Sequence, residues 1–304
     1  MSAYPANMPL PPESARELDQ ALEHAAVEYR RAARAAEIAT RHETQLLTVT
    51  EGMRAFHTRM AAMHRKAEQQ HRTAARIHTA HADRLRRWAQ GPQDAQVPSA
   101  LMAAACETLG ASGTALTLFG TDQTEVLTAA SNRASRTAQH LEFTLGQGPA
   151  RETVRLHRPV TAAGSEIAAT WPIYGPAVEQ LGIRAVATVP VAMAGSTLGA
   201  LTVFDPPMTH GPDLETFQAA ADTLIASLDT TPLTEACGDL KRWPALVSQA
   251  DLWTVVNQAA GMVSVQCRCG TGDALALIRA HAFAEDRPVD DVAADIVNRT
   301  LRLG

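Results

Sequence analysis

Apolar positions recur at spacings of four and three from residue 13 to residue 90, a stretch with no proline and a single glycine, Gly52. Leu18, Leu22, Ala25, Tyr29, Ala32, Ala36 and Ala39 form one such run, the seam of a coiled coil or helical hairpin. A second run, out of phase with the first, comprises Leu46, Val49, Met53, Phe56, Met60, Met63, Ala67, Gln70, Ala74 and Ile77. The phase break near residues 40 to 46 fits either a stutter in one rod of up to ~115 Å or a hairpin corner near Thr48 to Gly52. We expect the rod. Its alanine-rich seam buries little area per layer, so a partner helix is required, and a homodimer through residues 13–90 supplies one.

The pattern then changes. Pro-rich residues 1–12 predict no packed structure, and GPQDAQVP (91–98) is a linker that ends the helical segment. After a helix over residues 99 to 110 come four β-type runs, TALTLF (114–119), EVLTAA (125–130), RAVATVPVAM (184–193) and STLGALTVF (196–204). Two helices are predicted between the second and third runs, ARETVRLH (150–157) and YGPAVEQLG (174–182), and a last one over residues 213 to 228. Such an order implies an antiparallel sheet with helices packed on it, an α+β class, in a domain spanning 99–230.

A second linker, 231–244, has prolines toward both ends, and residues 245–304 read as a three-helix bundle. Its stripes are Leu252, Val255, Val256, Ala259, Met262 and Val263; then Ala274, Leu277, Ile278 and Ala282; then Val289, Val292, Ala293, Ile296 and Val297. Thr271 is the expected N-cap of the second helix, and Pro288 marks the start of the third. Gly261, inside the first helix, costs about 1 kcal/mol relative to alanine, which predicts a close approach of another group there.

Composition narrows the function. With 27 basic and 32 acidic residues the formal net charge is −5, so no overall electrostatic attraction to nucleic acid exists. Four scattered cysteines do not form a disulfide framework, the N-terminus has no leader-like apolar region, and no membrane-length apolar run occurs; a cytoplasmic protein is expected. No nucleophile elbow, phosphate-binding glycine loop or isolated carboxylate pair is present, so no enzyme activity is expected. Cys267 and Cys269, with Cys237 and His281, lack zinc-site spacing, and no metal is expected. His57, His64, His71 and His78 repeat every seven residues, most simply as a solvated flank of the long helix.

Two resemblances go further. ETLGASGTALTLF, LEFTLGQGPARETV, WPIYGPAVEQLGIRAVATVPV and LGALTVF resemble a GAF domain over about residues 99–229, and NQAAGMVSVQ, DALALIRAHA and RPVDDVAADIV resemble an ANTAR domain over about 245–302. That order is the one seen in GAF–ANTAR regulators of actinobacteria. The first resemblance implies a sensor that binds a small molecule or protein partner, with no cofactor specified; Phe143, Trp171, Tyr174 and Arg184 are the residues we expect to line its pocket. The second implies binding of RNA hairpins in nascent transcripts and antitermination, through Gln258, Ala260, Gly261, Arg268 and Arg279. ANTAR domains usually carry Ala-Lys-Gly where this chain has Ala259, Ala260 and Gly261, so one phosphate-contacting cation is missing. The competing expectation is a signalling scaffold whose degenerate ANTAR bundle docks a protein instead of RNA.

Overall fold

A computed structural model describes residues 12–90, 99–120, 125–193, 195–207, 211–227, 251–285 and 287–303. The N-terminal residues up to Pro11, both linkers and Cys237 lie outside the described residues. Among the described residues no helix is long and apolar enough to cross a membrane.

The expected rod is a hairpin. Helix α1 (Pro12–Gln45) and helix α2 (Glu51–Gln90) are joined by a turn in which the amides of Leu46, Thr48 and Val49 bond back to carbonyls of α1. The two helices run antiparallel against each other: His42 Nδ1 lies 2.8 Å from His57 Nδ1, Arg65 forks onto Glu43, His71 Nδ1 lies 2.6 Å from Glu28, and His81 Nε2 lies 3.0 Å from Glu17. On α1 the seam contains Ala21, Ala25, Ala32, Ala35 and Ala39, all buried. On α2 it is not the apolar run but the histidine register, His57, Ala61, His64, Glu68, His71, Ala75, His78, Ala82 and Leu85, spaced four and three. Alanines on α1 leave room for imidazoles from α2, and polar groups of α1 meet them, so the heptad histidines are an interface and not a solvated flank. Because each helix already covers the other, the seam no longer calls for a second copy of the chain.

The apolar run on α2 divides in two. Ala74 and Ile77 at its base are buried, Ile77 in the core of the central domain, while Met53, Phe56 and Met63 near the turn are about half exposed.

The central domain is built on a five-stranded antiparallel sheet of order β2-β1-β5-β4-β3, with β1 (Gly113–Phe119), β2 (Glu125–Ala130), β3 (Val160–Ala163), β4 (Ala185–Met193) and β5 (Ser196–Phe204). The four expected strands are present; β3, only four residues long after Pro159, was too short to read. Alternation sends Leu116, Leu118, Leu127, Val189, Leu201 and Val203 to one face, against α3 (Ala100–Leu109) and the later helix α8 (Leu214–Ala226). The opposite face carries Ala115, Ala130, Val186 and Phe204 and is covered by α4 (Arg133–Leu145), α5 (Pro149–Leu156), α6 (Ser165–Thr170) and α7 (Tyr174–Glu179). Helix α4 escapes a hydrophobic-periodicity reading because Ser135, Gln139 and Glu142 lie on its buried side. Asn132 caps it, accepting from the Ser135 amide at 2.9 Å.

Three C-terminal helices, α9 (Asp251–Cys267), α10 (Thr271–Ala284) and α11 (Val289–Val297), pack as expected through Val256, Ala259, Val263, Ile278, Val292 and Ile296. Gly270, not Thr271, occupies the N-cap position of α10, and Pro288 is the N-cap of α11. Phe143 of α4 is buried in the same cluster, so the bundle sits directly on the central domain.

The hairpin seam makes stability depend on pH. Burial and the charges of His24 and His81 push His78 down to about 4 from 6.5. An unfolded chain then takes up a proton that the folded one refuses, and stability is lost as pH falls from 6.5 toward 4, by up to about 3 kcal/mol from this residue. Thermal melts of helical circular dichroism across that window should show a shallower pH dependence for His78→Gln than for the parent chain.

Candidate functional site

On the α4–α7 side of the sheet, alternation places threonines where a purely structural core would carry apolar residues. Thr117, Thr128, Thr188 and Thr202 are all buried, with Thr117 opposite Thr128 and Thr188 opposite Thr202 across the strands. The Thr117 hydroxyl donates to Gln139 Oε1 of α4. Beside this layer, Glu125 opens β2 and Glu142 lies one helical turn beyond Gln139, each at most 2% exposed.

Arg151 joins the two carboxyl groups. Its Nη2 donates to Glu125 Oε1 at 2.6 Å, its backbone amide donates to Glu142 Oε1 at 2.8 Å, and its guanidinium carbon lies 5.7 Å from the Phe119 ring centroid. The stretch Gly146-Gln147-Gly148-Pro149-Ala150-Arg151 creates this arrangement. A Cβ on Gly148 would lie 2.6 Å from Glu142 Cδ, so only glycine lets the loop pass over the carboxyl, and Pro149 then starts α5 with an amide-free first position. Gln147 Oε1 accepts from the amides of Ile173 and Tyr174, tying the loop to α7.

Burial dominates the electrostatics. It pushes Glu125 up to about 7 against the pull of Arg151, and burial together with the Glu125 charge pushes Glu142 up to about 8. Burial and the Glu142 charge raise the Tyr174 phenol as well. Glu125 Oε2, Glu142 Oε2, Gln139 Nε2, Arg151 Nε and the hydroxyls of Thr128, Thr153 and Tyr174 have no hydrogen-bond partner. Each such group costs roughly 1–3 kcal/mol. So much unsatisfied polarity in one place marks a site maintained for function at the expense of stability.

Of the four expected pocket residues, two meet. Trp171 and Tyr174 are buried with ring centroids 6.1 Å apart, and Trp171 Nε1 donates to Glu152 Oε2 at 2.8 Å; both belong to the core cluster on this face. Phe143 turns away toward the C-terminal bundle, and Arg184 is exposed, its amide donating to Asp205 Oδ1 at 2.7 Å. The cation of the site is Arg151. Glu125, Gln139, Glu142 and Arg151 were missed; the signal available was the paired glycines of LGQGPARE, whose meaning depends on a carboxyl six residues earlier.

The expected RNA-binding residues also separate. Gln258, Gly261 and Arg268 are exposed, with Val265 between them 80% exposed, along one side of α9 and its end. A Cβ on Gly261 would meet nothing within 4 Å, so it is not a packing glycine. Ala260 is fully buried, which corrects its placement on an accessible surface. Arg279 is drawn inward: its Nη1 donates to the Phe143 carbonyl at 3.3 Å and its guanidinium carbon lies 5.5 Å from the Phe143 ring centroid. Cys267 donates its thiol to the Leu303 carbonyl at 2.9 Å, and among the described residues no three His, Cys, Asp or Glu side chains are arranged to hold a metal ion.

Two consequences of the carboxyl pair are measurable. Acids raised by folding contribute stability that is full below their unfolded values and lost as pH rises through about 7 and 8, so urea midpoints should fall between pH 5 and pH 8.5, and Glu142→Gln should flatten that fall. Gly148→Ala should cost roughly 1–3 kcal/mol in the same measurement, because its methyl group displaces Glu142.

Comparison with curated proteins returned no match. Comparison with family models matches residues 95–229 to the GAF domain, the segment that contains the whole five-stranded sheet, both its helical layers and the buried carboxyl pair. The middle of this chain is therefore a GAF domain, a signal-sensing regulatory module.

Proposed function

We propose that the chain is a cytoplasmic, signal-responsive antitermination regulator whose C-terminal bundle binds RNA hairpins in nascent transcripts under control of the GAF domain, acting by binding and not by catalysis. The observation that carries this reading is the seating of the bundle on the sensor: α9 meets β2 and α10 meets α4, the two elements that hold Glu125 and Glu142. A signal that repacks the polar site acts on the effector without an intermediary. The target class comes from the ANTAR-like motifs, and Gln258, Gly261 and Arg268 are the accessible part of that surface. If the target contains paired hairpins, two copies must associate, and the half-exposed Met53, Phe56 and Met63 stripe on α2 is the face for it, since the histidine seam is occupied within each chain.

One observation favours the scaffold reading. Val265, Leu277 and Phe283 are exposed on a bundle in which five arginines face seven acids over residues 245–304, a surface better suited to protein than to phosphate. Crosslinking and sequencing of RNA from cells, with and without residues 245–304, decides between them: specific recovery of transcripts supports the regulator, and equal background from both chains sinks it. In vitro, Arg268→Ala should reduce the log-log salt slope of hairpin binding by about 0.7 to 0.9. Ala260→Lys should not restore binding, because a lysine at this buried position must be desolvated.

A further inference from the structure

Both faces of the contact between sensor and bundle involve groups that do something else elsewhere. On the sensor, α4 presents Glu142 to the buried site and, one residue later, Phe143 to the bundle. On the bundle, the guanidinium of Arg279 is stacked on the Phe143 ring and bonded to its carbonyl. Its surroundings include both charges of the sensor's ion pair: burial and Arg151 lower Arg279, and Glu125 opposes them. The same relation appears from the other side, where Arg279 is one of the cations that favour ionised Glu125. His140 of α4 also feels the charge of Asp290 of α11, which partly offsets the burial that lowers His140. Ala260 is buried in the cluster that receives Phe143.

We infer that this contact is an autoinhibitory interface, in which the GAF surface made by α4 and the start of β2 competes with RNA for the Arg279 face of the bundle. The inference rests on the RNA reading above and adds its regulation. A guanidinium stacked on a phenyl ring and bonded to a carbonyl is withheld from phosphate, so the docked chain presents Arg268 but not Arg279. Release returns a second cation to the RNA surface. The interface is joined to the sensor's buried site by geometry, because Phe143 follows Glu142 on α4 and α9 meets β2, whose first residue Glu125 is held by Arg151. A signal that breaks the Arg151 bridge between Glu125 and Glu142 frees α4 and β2 to move and so weakens docking, and by reciprocity RNA bound to the bundle alters the sensor's affinity for that signal.

The test uses the full chain and a synthetic transcript carrying two stem-loops. Phe143→Ala removes the ring, isosteric Glu125→Gln removes the charge, and Arg279→Ala removes the shared group; unchanged amide exchange in β1 and β5 certifies that each variant is folded. Phe143→Ala and Glu125→Gln should accelerate exchange across residues 271–284 and tighten transcript binding by about tenfold. Arg279→Ala should accelerate exchange equally but weaken transcript binding. Unchanged exchange in the first two variants overturns the interface whatever the RNA result. Accelerated exchange without transcript binding by any chain, parent included, overturns the RNA reading and the competition with it, while the docked contact itself stands.

Discussion

Arg151 holds two buried carboxyl groups that no other residue brings together, and much of the central domain is arranged around that fact. Its side chain bonds Glu125 at the start of an edge strand, and its main chain bonds Glu142 on the helix covering the sheet. Removing two acids from water is costly, and a single cation only partly compensates, which is why both remain raised toward neutrality. A domain selected only for stability would fill this space with aliphatic side chains, as the other face of the same sheet does.

The contrast between the two sheet faces extends to their coverings. The aliphatic face is sealed by α3 and α8 and continues into Ile77 of the hairpin, making the hairpin and the sensor's rigid side one packed unit. The polar face is covered by α4, the short helices α5, α6 and α7 and a glycine-bearing loop, and the bundle leans against its edge. A change at the polar face therefore moves thin, locally bonded elements, while the aliphatic face provides the fixed frame.

Histidine plays an unusual part in that frame. An Ala–His seam packs less area than leucine would, and it gains direction instead: ring nitrogens facing Glu17, Glu28 and another imidazole define the register of α1 on α2. Alanine on the opposing helix is what makes room. The apolar register one face round is thereby free to dock on the sensor at its base.

The sequence by itself determined the helices other than α4 and α6, four of the five strands, the order of the segments and the three stripes of the C-terminal bundle, because each depends on a local period that a chain carries wherever it folds. The GAF resemblance was also legible, since its glycines and aromatics keep their spacing. Periodicity could not say which of two overlapping heptad registers on α2 would face α1, because both satisfy it; the hairpin chose the register with polar partners across the gap. Nor could it find Glu125 and Glu142, which are ordinary acids in the sequence and become a site only when an edge strand, a helix and a loop enclose them with Arg151. Arg279 shows the same limit: its charge was plain from the sequence, but whether it meets water, phosphate or the ring of Phe143 is decided by how one domain rests on another.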